Sequence, residues 1–112
     1  FRIDPEEQFD YYLSLLEAYS SLMELFQSNE WFIKSLNKRV LLFLKQLERS
    51  GFCHDDILVL SLKIIVILFG TFGQSIYSEM KQPLMKNIIE KGIKYPDQDI
   101  SSISSKLLYL IR

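Results

Sequence analysis

Apolar residues recur at helical spacing along almost the whole chain. Phe9, Tyr12, Leu16, Tyr19, Met23 and Phe26 form one stripe, and Tyr11, Leu15, Leu22 and Leu25 form a second. Positions three and four apart share a helix face, so the pattern predicts a first helix from about residue 5 to residue 26 with neighbours on two sides. Asp4-Pro5-Glu6-Glu7 opens it: Asp4 can accept from first-turn amides, Pro5 has its φ pre-set, and Glu7 can reach back to the cap. Ser28-Asn29-Glu30 is the next break and cap. A second helix is predicted from about Glu30 to Arg49, with Ile33, Leu36, Val40, Phe43 and Leu47 on one face. Gly51 stands where a left-handed residue ends such a helix.

Asp55-Asp56 then favours a helix N-terminus, because carboxylates there oppose the positive end of the dipole. The third helix takes in the most apolar run, Ile57 to Phe69, interrupted only by Ser61 and Lys63, and reaches about Phe72. Thirteen residues span about 20 Å as a helix, against roughly 30 Å of bilayer hydrocarbon. With Lys63 near its middle, this run reads as a core helix buried on nearly all sides, not a membrane span. Gly70 and Gly73 predict a bend or break. A fourth helix covers about Ile76 to Lys91 with Pro83 inside it. Either it kinks there, or a turn precedes a helix that properly starts near Gln82. After Lys94-Tyr95-Pro96-Asp97, Asp97 or Asp99 caps a last helix from about Ile100 to the end. No segment alternates with period two, so no sheet is predicted. The expectation is one all-α domain over residues 1–112, of about five helices.

Helix starts near residues 5, 55 and 98 recur at about 45-residue spacing, within the range of paired-helix repeats. The chain then divides into helical hairpins at about 5–50 and 55–92 and an extra helix at 98–112. The stretch Tyr77-Ser78-Glu79-Met80-Lys81-Gln82-Pro83-Leu84-Met85-Lys86-Asn87-Ile88-Ile89 resembles the second helix of a HEAT or armadillo-type repeat, with a proline after a short apolar lead-in. Pro96-Asp97 followed by Ile100 and Leu107-Leu108 resembles the short turn into the next repeat. The resemblance covers about Asp55 to Arg112; the first two helices are longer than those of a typical repeat. It implies a right-handed α-α superhelix whose second helices line a concave wall. The alternative is a closed bundle of four or five helices serving dimerisation or regulation.

Composition narrows the functional classes. A hydrophobic fraction of 48% excludes disorder as a description of the whole chain. Thirteen Lys+Arg against fourteen Asp+Glu give a net charge of -1, without the basic excess of a nucleic-acid binder. One cysteine can form no internal disulfide, and Cys53-His54 sets the single thiol beside the single imidazole with no third partner. Glu6/Glu7 and Asp55/Asp56 are explained by helix N-termini. Gly70-Thr71-Phe72-Gly73 lacks the spacing and lysine of a phosphate loop. No catalytic group, metal site or cofactor is expected. The opening Phe1 and the apolar, uncapped end Leu107–Ile111 read as an excised piece of a longer chain, and the lone cysteine with no signal segment reads as intracellular, cytoplasmic or nuclear.

Charge layout says more than any motif. Residues 1 to 30 carry seven acidic side chains and one basic, Arg2, whereas residues 31 to 49 carry Lys34, Lys38, Arg39, Lys45 and Arg49 against Glu48. Opposite signs favour pairing the first two helices as an antiparallel hairpin. Two readings of the lysines stand side by side. In one they are solvated faces. In the other, Lys34, Lys38, Lys45, Lys86 and Lys91 line a groove on the second helices for an acidic peptide or helix of a partner protein. Eight Phe, six Tyr and Trp31 mostly supply core, but Tyr11, Trp31, Phe32 and Tyr109 fall outside the core stripes and are candidate partner anchors. The expected function is a non-enzymatic protein-interaction scaffold, with self-association as a further possibility, no nucleic-acid partner and no membrane.

Overall fold

A computed structural model describes residues 5–51 and 54–112, with side chains from Glu7 onward. Asp4 and Cys53, and the side chain of Glu6, lie outside the described residues. The chain forms α1 (Pro5–Leu25), α2 (Glu30–Ser50), α3 (Asp55–Phe72), a 3-10 turn (Gly73–Ile76), the single-turn α4 (Tyr77–Met80), α5 (Pro83–Ile93) and α6 (Gln98–Leu110). Among the described residues there is no strand. The fold is all-α, with five principal helices.

Local chemistry sets most of the boundaries. The Asn29 side chain accepts from the Phe32 amide at 3.1 Å and caps α2. Gly51 closes that helix at φ 72°, where its amide donates to the Glu48 carbonyl. At α3 the cap is His54, whose Nδ1 accepts from the Asp56 amide at 3.2 Å. Helix α3 passes through Gly70 and stops before Gly73, which adopts φ 58°. Pro83 kinks nothing: it stands at the first position of α5, where its missing N–H costs no hydrogen bond. Asp97 caps α6, accepting from the amides of Asp99 (2.9 Å) and Ile100 (3.3 Å).

The helices pack around α3. α1 lies along it, α2 lies along α5, and α6 packs chiefly on α5 and touches α3. The dimensions are 40 × 32 × 23 Å, and a 21-residue helix is about 31 Å long. α3 touches α1, α2, α5 and α6, and buries Ile57, Leu62, Ile64, Ile65, Ile67, Leu68 and Phe69. Leu16, Met23, Ile33, Val40, Leu44, Met85 and Ile89 complete the core from the surrounding helices.

Two details of packing differ from the sequence reading. α1 rests chiefly on α3 and only lightly on α2. Their contact is aromatic, with Tyr12 and Tyr19 against Phe43 at 5.9 and 5.4 Å, and Gln46 Nε2 donating to the Tyr12 hydroxyl at 2.9 Å. Among the described residues no ion pair joins α1 to α2, so their opposite charges do not select the pairing by direct contact. Glu24 of α1 instead pairs with Lys63 of α3 at 2.9 Å. The run Asp55–Met80, 26 residues with a best window of mean hydropathy 2.1, is long and apolar enough to cross a membrane by length and composition alone. Here the helix breaks at Gly73, and 44% of that window is buried within the fold.

Candidate interaction surfaces

The lysines singled out from sequence meet different fates. Lys45, on α2, has a side chain only 17% exposed and pairs with Glu79 of α4 at 3.3 Å. Lys91 of α5 sets its Nζ 2.9 Å from both carboxylate oxygens of Glu48 on α2, whose side chain is 12% exposed. These two pairs tie the α2–α4–α5 side together. Lys34 pairs one turn back with Glu30 at 3.5 Å, fully on the surface. Lys38 and Lys86 are exposed and make no ion pair among the described residues. α2 and α5 therefore do lie side by side, but Lys45 and Lys91 are committed to carboxylates of this chain.

One line on the outward face of α2 combines exposed apolar and basic side chains. Trp31 and Leu42 are 77% and 66% exposed and stand eleven positions apart. Eleven residues make three turns, so both point within about 20° of one direction, about 16.5 Å apart. Lys38 and Arg49 fall on the same line, with Lys34 and Arg39 flanking it. Phe32 is not part of this surface: it is half-buried, its ring 4.7 Å from that of Phe26 at the α1–α2 corner. Tyr11 and Tyr109 are exposed on α1 and α6.

The side where α1, α3 and α6 meet carries a surface that the sequence did not single out. A groove of about 420 Å³ is lined by Glu24 and Gln27 near the end of α1, Val59, Leu62, Lys63, Val66 and Ile67 of α3, and Ile100 and Ile103 of α6. It exists because α3 reaches past the core on this side, keeping Val66 exposed while α1 and α6 stand to either side. The alternation Val59, Lys63, Val66 on α3 was a visible signal, but nothing in the sequence showed where α6 would dock.

A smaller pocket of about 280 Å³ opens among Leu47, Glu48, His54, Asp55, Ile57, Leu58, Ser61, Ile88 and Lys91. Three of its polar side chains are already engaged. Lys91 holds Glu48, and His54 caps α3 with its ring edge-on to Phe9 at 5.0 Å. Next to it, the Tyr95 phenol is held above the ordinary tyrosine value, first by desolvation and then by the negative charges of Asp55, Asp97 and Asp56. Among the described residues no three of His, Cys, Asp and Glu gather to hold a metal ion. Comparison with protein-family models, with curated proteins and with solved structures finds no match to this chain.

Proposed function

We propose that this chain is a non-enzymatic interaction module of the helical-repeat kind, and that it holds an acidic amphipathic helix or peptide of a partner protein along the outward face of α2. The observation that carries this reading is the alignment of Trp31, Lys38, Leu42 and Arg49 on one exposed line. A large aromatic and a leucine supply desolvation energy at two points three turns apart, and the cations between and beside them select an acidic ligand. The docking of α3 against α1, α2, α5 and α6 supports a packed helical platform behind that face.

The experiment uses a labelled synthetic helix with leucine and glutamate in heptad repeat, and reads binding by fluorescence anisotropy. Saturable capture is expected, weakened at least about tenfold by Trp31→Ala and by Lys38→Glu with Arg39→Glu, while far-ultraviolet dichroism stays unchanged. Equal capture by wild type and both variants would overturn the assignment of this face.

A further inference from the structure

The pocket of about 280 Å³ lies where the end of α2, the start of α3 and the end of α5 converge. Its wall is aliphatic: Leu47, Ile57 and Ile88 are buried and Leu58 is half-buried. At about 30 Å³ per water molecule, the space equals about nine waters, which suits a small organic molecule and not a peptide.

Two polar side chains of the pocket are not engaged in holding the fold. Ser61 lines it at 3% exposure, and its hydroxyl makes no hydrogen bond among the described residues. A hydroxyl so placed is donor and acceptor at once, shut away from bulk water with open space beside it. Asp55 stands at the mouth, exposed and in no ion pair among the described residues. The other polar groups are occupied, Lys91 by Glu48 and His54 Nδ1 by the Asp56 amide.

The charge at the mouth has one sign. Lys91 cancels Glu48, and an imidazole whose Nδ1 accepts an amide proton carries no charge. Asp55 and Asp56 together exceed the roughly half positive charge of the α3 N-terminus. Tyr95 beside the pocket registers the same excess, since after desolvation it is Asp55, Asp97 and Asp56 that oppose its phenolate.

We infer that this pocket binds a small organic cation, with an ammonium group against Asp55, an apolar body along Leu58 and Ile88, and a hydroxyl group bonded to Ser61 Oγ. Asp55 and Ser61 are six positions apart, about 9 Å along the α3 axis, with Leu58 midway. The ligand therefore carries its two polar groups at opposite ends of an apolar spacer. One free carboxylate beside an aliphatic wall suits such a molecule better than a metal ion, which needs several oxygen ligands. The site uses none of Trp31, Lys38, Leu42 and Arg49, so it stands or falls separately from the α2 face.

Tyramine has this shape, an ammonium and a phenol at opposite ends of one ring, and serves as the probe. Titrated into the whole nitrogen-15-labelled chain, it is expected to bind saturably with a Kd of about 1 mM or tighter, shifting amides from Asp55 to Ser61 and from Ile88 to Lys91. Phenethylamine, which lacks the hydroxyl, should bind about three- to tenfold more weakly. Ser61→Ala should weaken tyramine to that level and leave phenethylamine unchanged. Asp55→Asn should weaken both amines at least about fivefold, with far-ultraviolet dichroism unaltered. The anion para-hydroxyphenylpropionate, of similar shape, should not bind. Absence of saturable shifts with tyramine up to about 20 mM, twenty times the expected Kd, overturns the site. Equal binding of the anion overturns the assignment of charge, and tyramine binding unchanged in both folded variants overturns the assignment of place.

Discussion

Gly92 of α5 lies directly against Ser104 of α6. A Cβ at position 92 would overlap Ser104 Oγ and Cβ and come within 2.8 Å of Leu62 Cδ1 on α3, so three helices converge where only hydrogen fits. The residue is in an ordinary helical conformation; space, not backbone freedom, demands glycine there. Gly92→Ala is therefore expected to lower stability by about 1–3 kcal/mol despite alanine's better helix propensity, read as a lower midpoint in urea. Ser104 adds a second expectation. Its Oγ is buried with no hydrogen-bond partner among the described residues. Ser104→Ala removes an unsatisfied polar atom and relieves the crowding, so it should leave stability unchanged or raise it by up to about 1 kcal/mol. A loss above that size would mean that the hydroxyl is bonded in the folded protein.

That contact also marks how far the amino-acid order could be read. Gly51, Asn29, Pro83 and Asp97 announce their roles because capping is settled within four residues, and each sits in the structure where its chemistry puts it. His54 was legible in principle, as an N-cap acceptor before Asp55-Asp56, but imidazole is an unusual cap beside the carboxylates that follow it. Phe32, expected outside the core stripes, is half-buried because Phe26, on the far side of a turn, packs its ring against it. Docking is a different matter. Helix α1 offers apolar surface on two sides, and nothing in its own sequence says that α3 takes the larger share. The groove beside Val66 and the close approach at Gly92 both depend on where α6 lands, which is decided by shape over long sequence separations.

The ion pairs divide by burial into those that matter and those that do not. Glu48 is the least exposed carboxylate among them, and Lys91 neutralises it with both oxygens engaged. Lys91→Met keeps the stem but leaves that acid without its cation, and should cost about 1–2 kcal/mol. Lys34→Met, removing a partner from a pair open to solvent on both sides, should stay within about 0.5 kcal/mol of wild type. Urea midpoints of the two variants, measured at low and high salt, check the contrast. Equal effects would show that Glu48 is better solvated than its position implies.

Tyr95 contributes to the pH dependence of stability at the alkaline end. Its phenol titrates above the ordinary tyrosine value because desolvation and the carboxylates of Asp55, Asp97 and Asp56 all oppose the phenolate. The unfolded chain loses this proton first as pH rises. Between the unfolded and folded values, the folded state binds the additional proton, so stability falls with increasing pH there. The contribution is complete below the unfolded value near 10 and is lost as pH climbs through the folded one. Tyr95→Phe should thus flatten the decline in stability at alkaline pH. Near-ultraviolet phenolate absorbance, followed alongside dichroism, checks this: a late-ionising component of the native protein should vanish in the variant. If the native protein shows no late component, the carboxylates of Asp55, Asp97 and Asp56 do not oppose the Tyr95 phenolate in the fold.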